Sequence, residues 1–232
     1  GPITDASDLQ VGGLVSFITM NDGGADIIID GGTANFGSIT ARTLNLAGTT
    51  VVGGAITIIE NASMDLGLVD TAGTASFTAA GNITDSGPVG ANQLALNATG
   101  FIELDNPGNR IGTLGNSASG ARFILSDGAG GLMVTGPINS GDRIEIRTQG
   151  GVLALNGNLT AGDRITLRGI GITQAAGMTV DAGDDQITLD ADSGVVNLLG
   201  LLKTTSSSAS ALTIQDTGLA ALGNISAPNG TL

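Results

Sequence analysis

The sequence predicts an all-β fold: a right-handed parallel β-helix (β-solenoid) with about 21 residues per coil and roughly eleven coils. Three observations predict it. The hexapeptide GDRIEI begins at Gly141, and GDRITL begins at Gly162, 21 residues later. Glycine supplies 39 residues and aliphatic side chains are plentiful, yet aromatics make up 2% and His, Cys, Trp and Tyr are absent. No stretch carries a sustained i, i+3, i+4, i+7 apolar stripe, and glycine interrupts almost every candidate helix.

Taken along the chain, the apolar alternation of short strands recurs. It runs through ARTLNLAG (Leu44, Leu46), GAITII (Ile56, Ile58), TASFTA (Ala75, Phe77), QLALNA (Leu94, Leu96) and ARFILSDG (Phe123, Leu125). It continues through Ile144 and Ile146, Ile165 and Leu167, and, after a one-residue insertion in GDDQITL, Ile187 and Leu189. GGVLAL from Gly150, GMTV from Gly177 and GVVNLL from Gly194 follow these copies, so one circuit holds at least two strands. The polar stretch TTSSSAS from Thr204 reads as an outward loop. Stacking at the ~4.8 Å strand spacing gives a rod of roughly 50 Å. Coils of this length with irregular turns wind right-handed as a rule. No coil can bury its aliphatics alone; its neighbours cover them, at ~1.5–3 kcal/mol for each Ile or Leu.

Positive mean hydropathy separates the chain from disordered sequences. A net charge of −13 argues against nucleic acid as a partner, which needs a basic footprint. Without cysteine there is neither a disulfide framework nor a thiolate metal site. No apolar run is long enough for a membrane span. Gly1-Pro2 reads as the remnant of a cleaved tag, and residues 3–232 as one continuous solenoid segment.

Three stretches resemble the repeats of filamentous-haemagglutinin-like exoproteins, exported by two-partner secretion. They are NPGNRIGTLG from Asn106, ARFILSDGAGGLMVTGPI from Ala121, and LTAGDRITLRGIGITQAAGMTV from Leu159. The similarity is strongest from Leu94 to Leu198. It implies a right-handed β-helical shaft of a secreted bacterial surface protein serving adhesion, biofilm formation or contact-dependent competition. The NPNG-type motif of the family's export domain has only APNGTL near the end as a counterpart, so the resemblance implies shaft rather than export domain.

Candidate sites are few. If Ile144, Ile146, Ile165 and Leu167 point inward, alternation turns Arg143, Glu145 and Arg147 outward beside Arg164, Thr166 and Arg168. Arg143, Arg147, Arg164 and Arg168 thus form a candidate cradle for a carboxylated or sulfated glycan, since arginine forks suit planar anions. The competing reading is a solubilising ladder, neutralised by Glu145, Asp163 and Asp190, whose exposed pairs are worth ~0–1 kcal/mol each. Asp22, Asp26 and Asp30 in NDGGADIIIDGG faintly resemble calcium-binding nonapeptides, but the stretch occurs once and reads better as solvated turns. Asp184/Asp185 and Asp190/Asp192 are carboxylate pairs of a kind glycosidases use, though acids in Gly-Asp turns more often cap local backbone. Asn-x-Ser/Thr tripeptides at Asn61, Asn82, Asn97, Asn158, Asn224 and Asn229 are expected to arise by composition.

The resulting expectation is a non-enzymatic, cofactor-free structural and adhesive shaft segment, secreted to the bacterial surface, touching surface glycans or matrix of host or neighbouring cells. End-to-end association through the solenoid ends is expected unless a segment such as Gly1–Leu14 folds over one of them. The alternatives are a polysaccharide-processing β-helix enzyme and a calcium-dependent solenoid.

Overall fold

The computed structural model describes residues 1–128 and 130–228. Among them there is no helix, and the strands join into one hydrogen-bonded parallel system of about eleven turns, roughly 21 residues apart. From Ile102 onward each turn has three strands rather than the two legible in sequence. The first face stacks Ile102–Leu104, Phe123–Asp127, Ile144–Thr148, Ile165–Arg168, Ile187–Asp190 and Leu212–Gln215. The second runs from Arg110–Leu114 through Leu153–Leu155 to Leu219–Ala221, the third from Ser117–Ser119 through Leu159–Ala161 to Asn224–Ser226.

Register is set by inward residues of like size. Ile102, Phe123, Ile144, Ile165, Ile187 and Leu212 stack in one column, with Leu104, Leu125, Ile146, Leu167, Leu189 and Ile214 two residues on. All but the terminal Leu212 and Ile214 are buried, within a single continuous core. A one-residue slip would turn both columns into solvent, which is why the register is firmly specified.

The glycine that opens each copy of the repeat has a steric reason. Gly120, Gly141, Gly162 and Gly183 sit at one corner, and a Cβ on any of the last three would run into the carbonyl oxygen of the glycine one turn earlier. Gly183 adds a φ of 57°. Gly162→Ala, with no such φ to blame, is expected to cost about 1–3 kcal/mol through that clash. Chemical denaturation would show it as a lower midpoint; an unchanged midpoint would mean that the corner relaxes freely.

Two expectations need correcting. Leu46 is 67% exposed, because the loop between Leu44 and Ile56 turns out of the stack. Asn45 Oδ1 accepts the amides of Thr49 and Thr50, and Leu44 and Val51 form an antiparallel bridge. TTSSSAS is outward only in part. Thr204 and Ser206 are buried, and the Thr204 hydroxyl donates to the carbonyls of Gly183 and Asp185.

The interior is not wholly apolar. Asn109 is fully buried, donates to Asp85 Oδ2 at 2.7 Å and to the Ser126 carbonyl, and accepts the Val89 amide at 2.7 Å. Asp127 accepts the Ile111 amide at 2.9 Å. Each side chain ties one turn to the next, meeting the demand that buried polar groups be paired. Glu60 breaks this rule. Its side chain follows Ile56 and Ile58 into the core, where neither carboxylate oxygen has a hydrogen-bond partner.

Gly1–Leu14 does not fold over the end. Ile3–Thr4 pairs with Ile27–Ile29, and Leu9–Met20 with Ala34–Leu44, so this segment forms a turn of the solenoid. Leu14, Ile18 and Met20 are exposed on it, as are Leu219 and Leu222 at the opposite end.

Candidate functional site

The outer side of the first face carries three columns. The register of the inward residues places Arg122, Arg143, Arg164 and Gln186 in the first, just before the strands begin. The backbone confirms the stack: the amides of Phe123, Ile144 and Ile165 donate to the carbonyls of Arg143, Arg164 and Gln186. The middle column is Glu103, Ile124, Glu145, Thr166 and Thr188. The third is Ser126, Arg147, Arg168, Asp190 and Gln215. Five of the chain's eight basic residues therefore lie on this face.

Arg143, Arg147, Arg164 and Arg168 all belong to it, but not to one cradle. Arg143 stacks on Arg164, and Arg147 on Arg168. The two pairs are four residues apart along their strands, roughly 13 Å. Their surroundings differ as well. Arg147 Nη2 pairs with Glu145, and Arg168 Nε meets Asp190 Oδ2 at 3.4 Å. Arg143 and Arg164 have no carboxylate within salt-bridge distance among the described residues, and Arg143 Nε is buried without an acceptor.

An acidic column of Asp142, Asp163 and Asp185 follows the same corner. Lost hydration, then the charges of Asp185 and Asp142, hold the Asp163 carboxyl above its ordinary range, while Arg164 pulls the other way.

Arg122 extends the basic face one turn further and was not picked out from sequence. Its Nη2 and Nε reach Glu103 Oε2 at 2.5 and 3.2 Å, and its guanidinium lies 3.9 Å from the Phe101 ring centroid. The signal is present in ARFIL, which aligns with DRIEI once the 21-residue step is applied from Phe123 to Ile144.

The Arg147–Arg168 pair opens onto a cleft of about 300 Å3, lined also by Thr148, Gln149, Gly169 and Asp192. Its inner wall is fixed: the Thr148 hydroxyl donates to the Gly130 carbonyl at 2.7 Å and lies 3.4 Å from Asp127 Oδ2. Its rim is a left-handed turn, with φ of 44° at Asp192 and 68° at Ser193. Such angles are uncommon for residues other than glycine. A wider groove of about 450 Å3 lies on the second face near Asp70, Gly90, Asn92 and Arg110.

Three of the acids considered for metal or catalysis, Asp22, Asp26 and Asp190, have structural partners. Asp22 accepts the Leu46 amide and Asp26 the Ala55 amide, each at 2.8 Å. Among the described residues no three acids gather as a metal site would require. Asp190 engages Arg168, Gln215 Nε2 and the Asp192 amide. Of the tripeptide asparagines, Asn82 accepts the Phe101 amide and Asn158 the Thr179 amide, capping the turn above. Asn229 and most of APNGTL lie outside the described residues. No helix among the described residues is long and apolar enough to cross a membrane.

No curated protein and no solved structure matches the chain. Residues 53–118 match the family described as repeats of unknown function (DUF5649). With the parallel stack described above, that match makes the chain a β-solenoid repeat protein.

Proposed function

We propose that the chain is a shaft segment of a large secreted bacterial surface exoprotein of the filamentous-haemagglutinin-like type, wound right-handed. It holds a recognition or effector region away from the cell and adds weak, repeated contacts of its own to surface glycans or matrix. The observation that carries the reading is the unbroken core: Ile102 to Ile187 stack in register through five turns with no side domain between them. Stacked coils propagate stiffness without a globular centre, and a laterally repeated face suits multivalent attachment.

Beads coated with the protein test the reading, by retention under flow on glycan- and matrix-coated surfaces with calcium and with chelator. Retention is expected in both buffers, with a marked loss when Arg143, Arg147, Arg164 and Arg168 are all replaced by serine. Folded protein that is retained on no surface would remove the adhesive half of the proposal and leave a spacer.

The strand edges at Leu9–Met20 and Leu219–Ala221, each paired on one side only among the described residues, support head-to-tail self-association. Sedimentation coefficients are expected to rise with concentration. A monodisperse monomer throughout would mean that the ends are blocked.

A further inference from the structure

We propose that the cleft at Arg147 and Arg168 is a subsite for a single hexuronate unit of an acidic polysaccharide. This inference rests on the adhesive reading and names the ligand class for one part of the basic face.

The two arginines are in register on neighbouring turns, so their side chains leave the backbone one ~4.8 Å strand spacing apart. Each has one nitrogen engaged within the protein: Nη2 of Arg147 with Glu145, and Nε of Arg168 with Asp190 at 3.4 Å. A guanidinium carries five N–H donors. Both side chains are about half exposed, and their remaining donors have no partner among the described residues. A planar carboxylate, which arginine grips bidentately, is the group that such a pair of forks accepts.

The rest of the lining selects a sugar over a bare anion. Asp192 stands on the rim, and its carboxylate repels a phosphate monoester or two closely spaced sulfate esters more strongly than a single carboxylate. A hexuronate brings one negative charge and several hydroxyls, which donate to Asp192 while Gln149 supplies an amide able to donate and accept. Thr148 is locked inward by its bond to Gly130, so the wall keeps its shape when the cleft is empty. Gly169 leaves the floor without a side chain; a Cβ there would stand 2.9 Å from Thr148 Cγ2. A volume of about 300 Å3 lies at the small end of the range for ligand pockets and fits one sugar ring.

The neighbouring Arg143–Arg164 pair does not share these features. It lines no part of the cleft, and the Asp142–Asp163–Asp185 column runs beside it. The cleft is therefore the place where positive donors, hydroxyl acceptors and a fixed wall coincide.

The test measures binding of the whole chain to immobilised polygalacturonate, with its methyl ester and dextran sulfate as comparison polymers. Arg147→Gln/Arg168→Gln, Asp192→Asn and Lys203→Gln are the variants, each checked for wild-type melting. The free acid is expected to bind, and the ester about tenfold more weakly. The double arginine variant should lose about tenfold, while Lys203→Gln, which removes a charge on the third face, should not. Asp192→Asn should weaken the uronate and strengthen dextran sulfate. Equal loss in Lys203→Gln, or a wild-type preference for dextran sulfate, would replace the subsite with diffuse charge attraction. Wild-type beads that are retained under flow while the wild-type chain binds no polyuronate overturn the subsite and leave the adhesive reading standing. Polyuronate binding without retention on any surface does the reverse.

Discussion

Ile165→Asp is expected to abolish folding of the middle of the rod. Ile165 is fully buried between Ile144 and Ile187 and faces no polar group of its own column. The substitution removes ~1.5–3 kcal/mol of apolar burial. It also strands a carboxyl inside the core, at a cost of several kcal/mol more. In a linear stack the damage spreads, because each turn is stabilised mainly by the two beside it. Urea denaturation would show either a large fall in midpoint or a second, earlier transition. Ile165→Val, at about 0.5–1.5 kcal/mol, is the companion that separates charge from volume. A midpoint for the aspartate variant close to that of the valine variant would mean that the carboxyl finds water, and that the coil is looser than its packing indicates.

The second large effect has the opposite sign. Burial pushes the Glu60 carboxyl from 4.5 up to about 7, and the Phe36 backbone amide offsets part of this without meeting hydrogen-bond geometry. The folded protein thus holds this proton to higher pH than the unfolded chain does. The associated stability is fully present below about 4.5 and is lost as pH rises through about 7. The whole window corresponds to about 3 kcal/mol. Glu60→Met keeps the side chain long and apolar beside its small register partner Ala79. It is expected to raise stability at pH 8 by a similar order and to flatten that part of the profile. Denaturation at pH 5 and pH 8 provides the measurement; a wild type and variant with the same pH dependence would place the carboxyl in water.

How much of this was legible in the sequence follows from where like residues stack on like. Ile144, Ile165 and Ile187 are the same residue in the same column, so the repeat and its register could be read directly. The third strand of most turns could not, the exception being GMTV from Gly177, which covers the start of Thr179–Asp181. Ser117–Ser119 and Ile138–Ser140 bury serines, with Ser119 and Ser140 hydroxyls 3.3 Å apart, and three residues without apolar alternation give no strand signal. In the early turns the step between stacked residues changes from 29 (Ile27 to Ile56) to 19 (Ile56 to Ala75), because the Leu44–Ile56 loop is inserted in one turn only. Self-similarity fades there, although the family match covers residues 53–118. Glu60 was hidden by its charge, which reads as an outward strand end. For the site, alternation gave the outward direction of all four arginines. Their division into two pairs depends on strand length, and the cleft depends on left-handed angles at Asp192 and Ser193, which neither residue type announces.

The three-strand turn has a mechanical consequence. Hydrogen bonds between turns run along the rod, so a pull on the two ends loads them one turn at a time rather than all together. A turn of 21 residues occupies only ~4.8 Å of rod but reaches roughly 70 Å once drawn out. Each turn that peels away therefore lengthens the tether about fifteenfold relative to the rod it leaves, and the remaining turns stay wound. A stiff spacer at rest becomes, under tension, a spool that yields line in equal measures.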